Sequence, residues 1–154
     1  MTAYPSFAAG QRLTAGQLAS MQTSRVECSG GTTNPTTTLA DCPGMVFTAD
    51  ANATYDMRLV ASYDAPTATD IKFAWTGPVG AGMTRSITAP QAGTADNVNQ
   101  GMTAIRRSMG TAQVGGGPNS VSSAFSVWLE QITLTTTTAG TVQWRWAQQT
   151  ADAS

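Results

Sequence analysis

The chain of 154 residues holds two cysteines and no histidine, and those two counts limit its chemistry more than any motif does. Without imidazole, the side chain that most often titrates near neutral pH is missing, so neither a Ser-His-Asp nor a Cys-His arrangement can form. Carboxylate pairs are the remaining route to acid–base work. Asp56 and Asp64 share one parity of a strand-like segment, but at about 3.3 Å per residue they stand roughly 26 Å apart, far beyond a glycosidase pair. They read as solvated surface acids. Asp64, Asp70 and Asp96 lack the spacing of a calcium loop. Gly115-Gly116-Gly117 lacks the strand-to-helix setting of a dinucleotide site, and Lys72, the only lysine, sits in no phosphate-binding motif. The glycines read as a flexible loop. No catalytic residue, cofactor or metal is expected, and the chain is not expected to be an enzyme.

Cys28 and Cys42 fit no zinc pattern, and no histidine is present to complete one. Two readings stay open: free buried thiols, or one disulfide between neighbouring strands. A bridge would close a loop of about 15 residues, worth on the order of 3 kcal/mol in the chain-entropy model. Trp144 and Trp146 share one parity of a strand and could stack on a sugar; the same parity holds Val142, which favours burial in a core. Arg106-Arg107 reads as a solvated turn, and Asn52-Ala53-Thr54 is a glycosylation sequon by pattern only.

The elements that must carry these residues are mostly strands. Charged residues are 11% of the chain, against about 25% in an average soluble domain. Solvation falls to Thr, Ser, Asn and Gln, and threonine's β-branch suits a half-buried pleated surface. The net charge is −1 with no basic stripe, which argues against nucleic-acid binding. No apolar run has the length of a membrane span, and no basic region followed by an apolar stretch opens the chain, so folding in a cytoplasm is expected.

Residues 1–23 read as an arm and short helix, and 24–154 as one β domain. Thr14 and Gln17 form a capping box, Leu13 can staple onto Leu18, and Met21 follows one turn on, which predicts a helix over Ala15–Met21. The arm before it carries Tyr4, Pro5 and Phe7 without periodicity, and either covers this domain's own core or docks elsewhere. Arg25–Ser29 is expected as a strand, and Met45–Thr48 as a second after a Pro43-Gly44 turn. Thr54–Asp64 alternates most clearly, with Tyr55, Met57, Leu59, Ala61 and Tyr63 on one face. Ile71–Trp75, Met83–Thr88, Gly101–Gly110 and Thr141–Ala147 add further strands, with a polar loop over Ala89–Gly101. Val121–Thr138 is too long for one ordinary strand. Phe125, Val127 and Leu129 take one parity and Trp128, Ile132 and Leu134 the other, so either a bulge switches the faces or both faces are covered. The second option makes Phe125, Val127, Trp128, Ile132 and Leu134 candidate oligomer-interface residues. About seven or eight short strands predict an all-β sandwich or barrel.

Several stretches also carry a resemblance. The opening Tyr4-Pro5-Ser6-Phe7-Ala8-Ala9-Gly10-Gln11-Arg12-Leu13-Thr14-Ala15 resembles the start of small virion proteins of actinobacterial phages and prophages. Thr37-Thr38-Leu39-Ala40-Asp41, Ala51-Asn52-Ala53-Thr54-Tyr55, Asp70-Ile71-Lys72-Phe73-Ala74-Trp75 and Gly140-Thr141-Val142-Gln143-Trp144 look like the same family, in the same order. The resemblance implies an antiparallel jelly-roll sandwich of the tumour-necrosis-factor or C1q type, usually a homotrimer. It would be displayed on a phage capsid or tail beside other virion proteins. It gives the arm and helix an anchoring role, through Tyr4, Phe7, Leu13, Leu18 and Met21. A capsid decoration or head-fibre protein is the first expectation, and a tail-fibre module binding a host surface glycan through Ala89–Gly101 and Gly110–Asn119 the second. In such proteins a last apolar strand follows the Trp-Ala-Gln stretch; here Gln148–Ser154 is polar, so an open or borrowed sheet edge is expected after Ala147.

Overall fold

The computed structural model describes residues 9–10, 12–15, 23–65, 68–92, 101–105, 108–117 and 125–151. Eight strands lie among them: β1 Ala40–Ala49, β2 Thr54–Tyr63, β3 Ile71–Thr76, β4 Gly82–Pro90, β5 Gly101–Ile105, β6 Gln113–Gly115, β7 Ser126–Thr135 and β8 Gly140–Gln148. They form two four-stranded antiparallel sheets, β1-β8-β3-β6 and β2-β7-β4-β5. The antiparallel pairs are β1–β8, β3–β8 and β3–β6 in one sheet and β2–β7, β4–β7 and β4–β5 in the other. Strands consecutive in sequence therefore mostly lie in opposite sheets, and the core is closed by residues far apart in the chain.

The sheets pack face to face as an all-β sandwich. Phe73 of β3 is central: its ring stacks on Trp144 at 4.5 Å and meets Trp128 of the other sheet edge-on at 4.7 Å. Tyr63 adds an edge contact at 5.7 Å, and Phe47 and Tyr55 pack in the same way elsewhere in the core. Such pairs contribute about 0.5–1.5 kcal/mol each beyond the area they bury. The alternation of β2 holds, with Tyr55, Leu59 and Tyr63 buried and Asp56, Arg58 and Val60 outward. Trp144 is a core residue and Trp146 packs half-buried against the core, so no sugar platform forms there.

Four expectations are corrected. Arg25–Ser29 forms no strand; it runs beside β1, joined by Ser29 N–H donating to Pro43 O at 2.8 Å. Pro43-Gly44 is no turn ahead of a strand but a bulge inside β1, between Asp41 and Val46. The Gln143 side-chain amide bridges that bulge, donating to Cys42 O and Met45 O at 3.0 and 3.1 Å. Gly44 has φ 83°, and a Cβ there would collide with the Glu27 carbonyl, so glycine is required twice over. The triple glycine, read as a flexible loop, is a loop only in part: Gly115 ends β6, Gly116 and Gly117 follow outside any strand, and all three residues are buried. A Cβ on Gly115 would lie 2.6 Å from the Trp128 ring. Lastly, β8 is flanked by β1 and β3, so the strand through Ala147 is interior and leaves no open edge. Of the helix expected over Ala15–Met21 only Ala15 is among the described residues, and the anchor residues Tyr4, Phe7, Leu18 and Met21 lie outside them; Leu13 is 51% exposed.

Candidate functional site

Strand β7 divides the molecule. It pairs with β2 through ten residues in unbroken register, so no bulge switches its faces. Ser126, Trp128, Glu130, Ile132 and Leu134 point into the sandwich and are buried, while Val127, Leu129, Gln131 and Thr133 point outward. The proposed interface set is thus split. Trp128, Ile132 and Leu134 belong to this chain's own core and are corrected to core residues, whereas Phe125 and Val127 stand outside, 68% and 46% exposed.

On the outer surface of the β2-β7-β4-β5 sheet, two rows run across three strands. Val60, Leu129 and Thr88 are opposite one another in one row, and Arg58, Gln131 and Ser86 in the next. Val60 and Leu129 continue the apolar row begun by Phe125 and Val127. Between the rows lies a shallow depression of about 220 Å³, lined by Arg58, Ser86, Thr88, Leu129, Glu130 and Gln131. A mixed row of one cation, one amide and one hydroxyl beside an apolar row can hold a polar surface that also offers an apolar face.

Behind that surface is the most concentrated chemistry among the described residues. Glu130 and Arg85 are fully buried and joined by two bonds, Nη2 to Oε1 at 2.5 Å and Nε to Oε2 at 3.0 Å. The Trp128 indole donates to Oε1 at 2.7 Å and the Trp75 indole to Oε2 at 2.9 Å. Arg85 Nη1 donates to Thr111 O at 3.2 Å. Both carboxylate oxygens therefore carry two donors, and no open side is left for a substrate. The cluster links β4 and β7 to β3 of the opposite sheet, which is a structural task. A charge pair of this kind survives burial only when its remaining hydrogen-bonding capacity is met, as here.

Sequence reasoning passed over both residues, although the signal was present. Arg85 shares the parity of Met83, Ile87 and Ala89, and Glu130 that of Trp128, Ile132 and Leu134. One cation and one anion at core parity on two strands is the pattern of a buried pair.

Cys28 and Cys42 are joined in a disulfide with Cα atoms 6.1 Å apart. The bridge fastens the 23–29 segment to the bulge of β1. At the triple glycine, Tyr63 Oη donates to Gly116 O at 2.7 Å, and Gly117 N–H donates to Asp70 Oδ1 at 3.2 Å. Burial pushes the Tyr63 phenol up to about 12, against an opposing hydrogen bond with Ser126 and with help from the nearby Asp70 charge. Among the described residues, no group of three or more His, Cys, Asp or Glu is placed to hold a metal ion. No helix among them is long and apolar enough to cross a membrane. Compared with known protein families, curated proteins and solved structures, the chain matches none.

Proposed function

We propose that this chain is a non-enzymatic structural module of a phage particle, a capsid decoration or head-fibre protein that assembles as a homotrimer. The fold reading that accompanies it is an eight-stranded jelly roll, the architecture of many capsid and lectin domains. The pairs β1–β8, β2–β7, β3–β6 and β4–β5 support that reading. The observation that carries the assembly is the outward apolar row of Phe125, Val127, Leu129 and Val60, all at least 36% exposed. A contiguous apolar patch rimmed by polar side chains is the usual mark of a protein–protein contact.

The test is native mass spectrometry of the full chain beside a Phe125→Asp/Val127→Asp variant. Both side chains are exposed, so the fold should persist. The wild type is expected in multiples of three copies and the variant as a species in which that three-fold assembly is lost. A monomeric wild type, or a variant trimer as stable as the wild type, would overturn the assembly. Imaging a particle that carries the chain tests its location, with density on the capsid expected and density confined to the tail pointing to the second reading.

That second reading, a tail module that binds a host surface glycan, is favoured by the depression between Arg58, Ser86, Thr88 and Gln131. The polar row could bond sugar hydroxyls or acidic groups while Leu129 and Val60 meet the ring's C–H face. Binding to a glycan array that is abolished by Gln131→Ala, with the oligomer intact, is the outcome it predicts.

A further inference from the structure

Among the described residues four strands end a sheet: β1 and β6 in one, β2 and β5 in the other. Three of them are poor templates for another chain. β1 is bulged between Asp41 and Val46 and is tied there to the Cys28 segment. β6 has three residues and β5 five. β2 differs on every count: it runs for ten residues, carries neither glycine nor proline, and holds unbroken register with β7. Its far side has no strand partner among the described residues. A long, regular edge of this kind is a ready template for backbone pairing.

The charges along β2 select the partner. Its outward side chains are Thr54, Asp56, Arg58, Val60 and Ser62. Unlike charges therefore flank Met57 symmetrically. If a second β2 lies antiparallel with Met57 opposite Met57, each Asp56 faces the other copy's Arg58, and each Thr54 faces a Val60. On the inward face Tyr55 meets Leu59, and the half-exposed Met57 is covered. Sliding the pair so that Asp56 or Arg58 lies on the axis sets like charges against each other, and centring on Val60 sets Asp56 against Asp64. Only the Met57 register among these pairs opposite charges, and cross-strand pairs of opposite charge are the favourable ones.

We infer that β2 is a self-docking edge: two copies of this chain join through Thr54–Tyr63, antiparallel about a two-fold axis at Met57, with two reciprocal Asp56–Arg58 ion pairs. The contact is isologous and closes on itself. It merges the β2-β7-β4-β5 sheets of two copies into one eight-stranded sheet and keeps their outer faces on the same side. It uses the β2 edge and not Phe125 or Val127.

The experiment uses the full chain with Asp56→Arg, Arg58→Asp and the double exchange, followed by sedimentation velocity at low and high salt. Both side chains are exposed, so unchanged far-UV circular dichroism and melting serve as the folding control. Each single variant should weaken pairwise association by about tenfold or more, since each sets like charges opposite one another twice. The double exchange should return it to within about threefold of wild type. The two single variants mixed in equal amounts should associate with each other, because an edge with two arginines then faces an edge with two aspartates. Single variants that pair like wild type, a double exchange that does not recover, a mixture that stays apart, or a wild type without two-fold pairing would each overturn the inference. The Phe125→Asp/Val127→Asp variant should keep this pairing while losing the trimer, so the two ideas fail separately.

Discussion

Replacing Arg85 with methionine tests the buried network most directly. Methionine approximates the length of the arginine stem but supplies neither charge nor donors. Glu130 would keep the indole N–H groups of Trp75 and Trp128 and lose both guanidinium bonds. The carboxylate would remain with no counter-ion at zero exposure, and breaking a buried pair from one side costs about 3–5 kcal/mol. Thr111 O also loses its donor. Against a total stability of about 5–15 kcal/mol for a domain, that is roughly a fifth or more of the whole. At this chain length it corresponds to a fall in Tm of roughly 6–20 °C. The double variant Arg85→Met/Glu130→Leu should recover part of the loss, because no lone charge stays buried. It should not recover all of it, since two buried indole N–H groups are then orphaned at about 1–3 kcal/mol each. Equilibrium urea unfolding followed by far-UV circular dichroism, at one fixed protein concentration, measures both. An Arg85→Met variant within about 1 kcal/mol of wild type would refute the reasoning.

Two further outcomes follow from single features. Cys28→Ser should destabilise the chain by about 3 kcal/mol, and wild type in reductant should match it; equal melting with and without reductant would contradict the bridge's role. Tyr63 has its folded pKa raised to about 12 from 10, so its stabilising contribution is complete below pH 10 and is lost as pH rises towards 12, where the unfolded chain releases a proton that the folded one retains. The resulting slope, at most about 1.4 kcal/mol per pH unit, should be absent from the Tyr63→Phe curve and so appear in the difference between the two proteins; parallel curves over pH 9 to 12 would contradict it.

What could be read from the residues and what could not separates along one line. Alternation gives parity, so β2, β3 and β8 were legible, and the two parities of β7 were visible as two faces. Parity does not give depth. Whether Val127 and Leu129 are covered depends on what lies over that face, and the strand itself carries no record of it. The reverse error concerns Arg85 and Glu130, because charged residues are assigned outward by habit when nothing local names their partner. Pro43-Gly44 and the triple glycine failed for a related reason. Each is a turn or loop signal by local chemistry, yet each is fixed by distant residues: the Gln143 amide that bridges the bulge, and the Trp128 ring that leaves Gly115 no room for a Cβ. Where consecutive strands mostly lie in opposite sheets, nearly every decisive neighbour is remote in sequence, so local reading is weakest at such points.

The network and the outer face are linked through the register of β7. A slip of one residue against β2 or β4 would move Val127, Leu129 and Gln131 inward and turn Trp128, Glu130 and Ile132 to solvent. Apolar residues at both parities make that slip less costly than in an ordinary half-polar strand, because Val127 and Leu129 could themselves fill a core. Glu130 removes the ambiguity. Only the observed register brings its carboxylate to Arg85 on β4 and to the Trp75 indole of the opposite sheet at the same time. The buried pair thus determines which residues of β7 remain outside, and with them the surface and edge through which copies of the chain would meet. This gives Arg85→Met a second expected effect beyond lower stability: under native conditions Val127 and Leu129 should lose their uniform exposure before the domain unfolds, and methyl NMR of those two residues would report it.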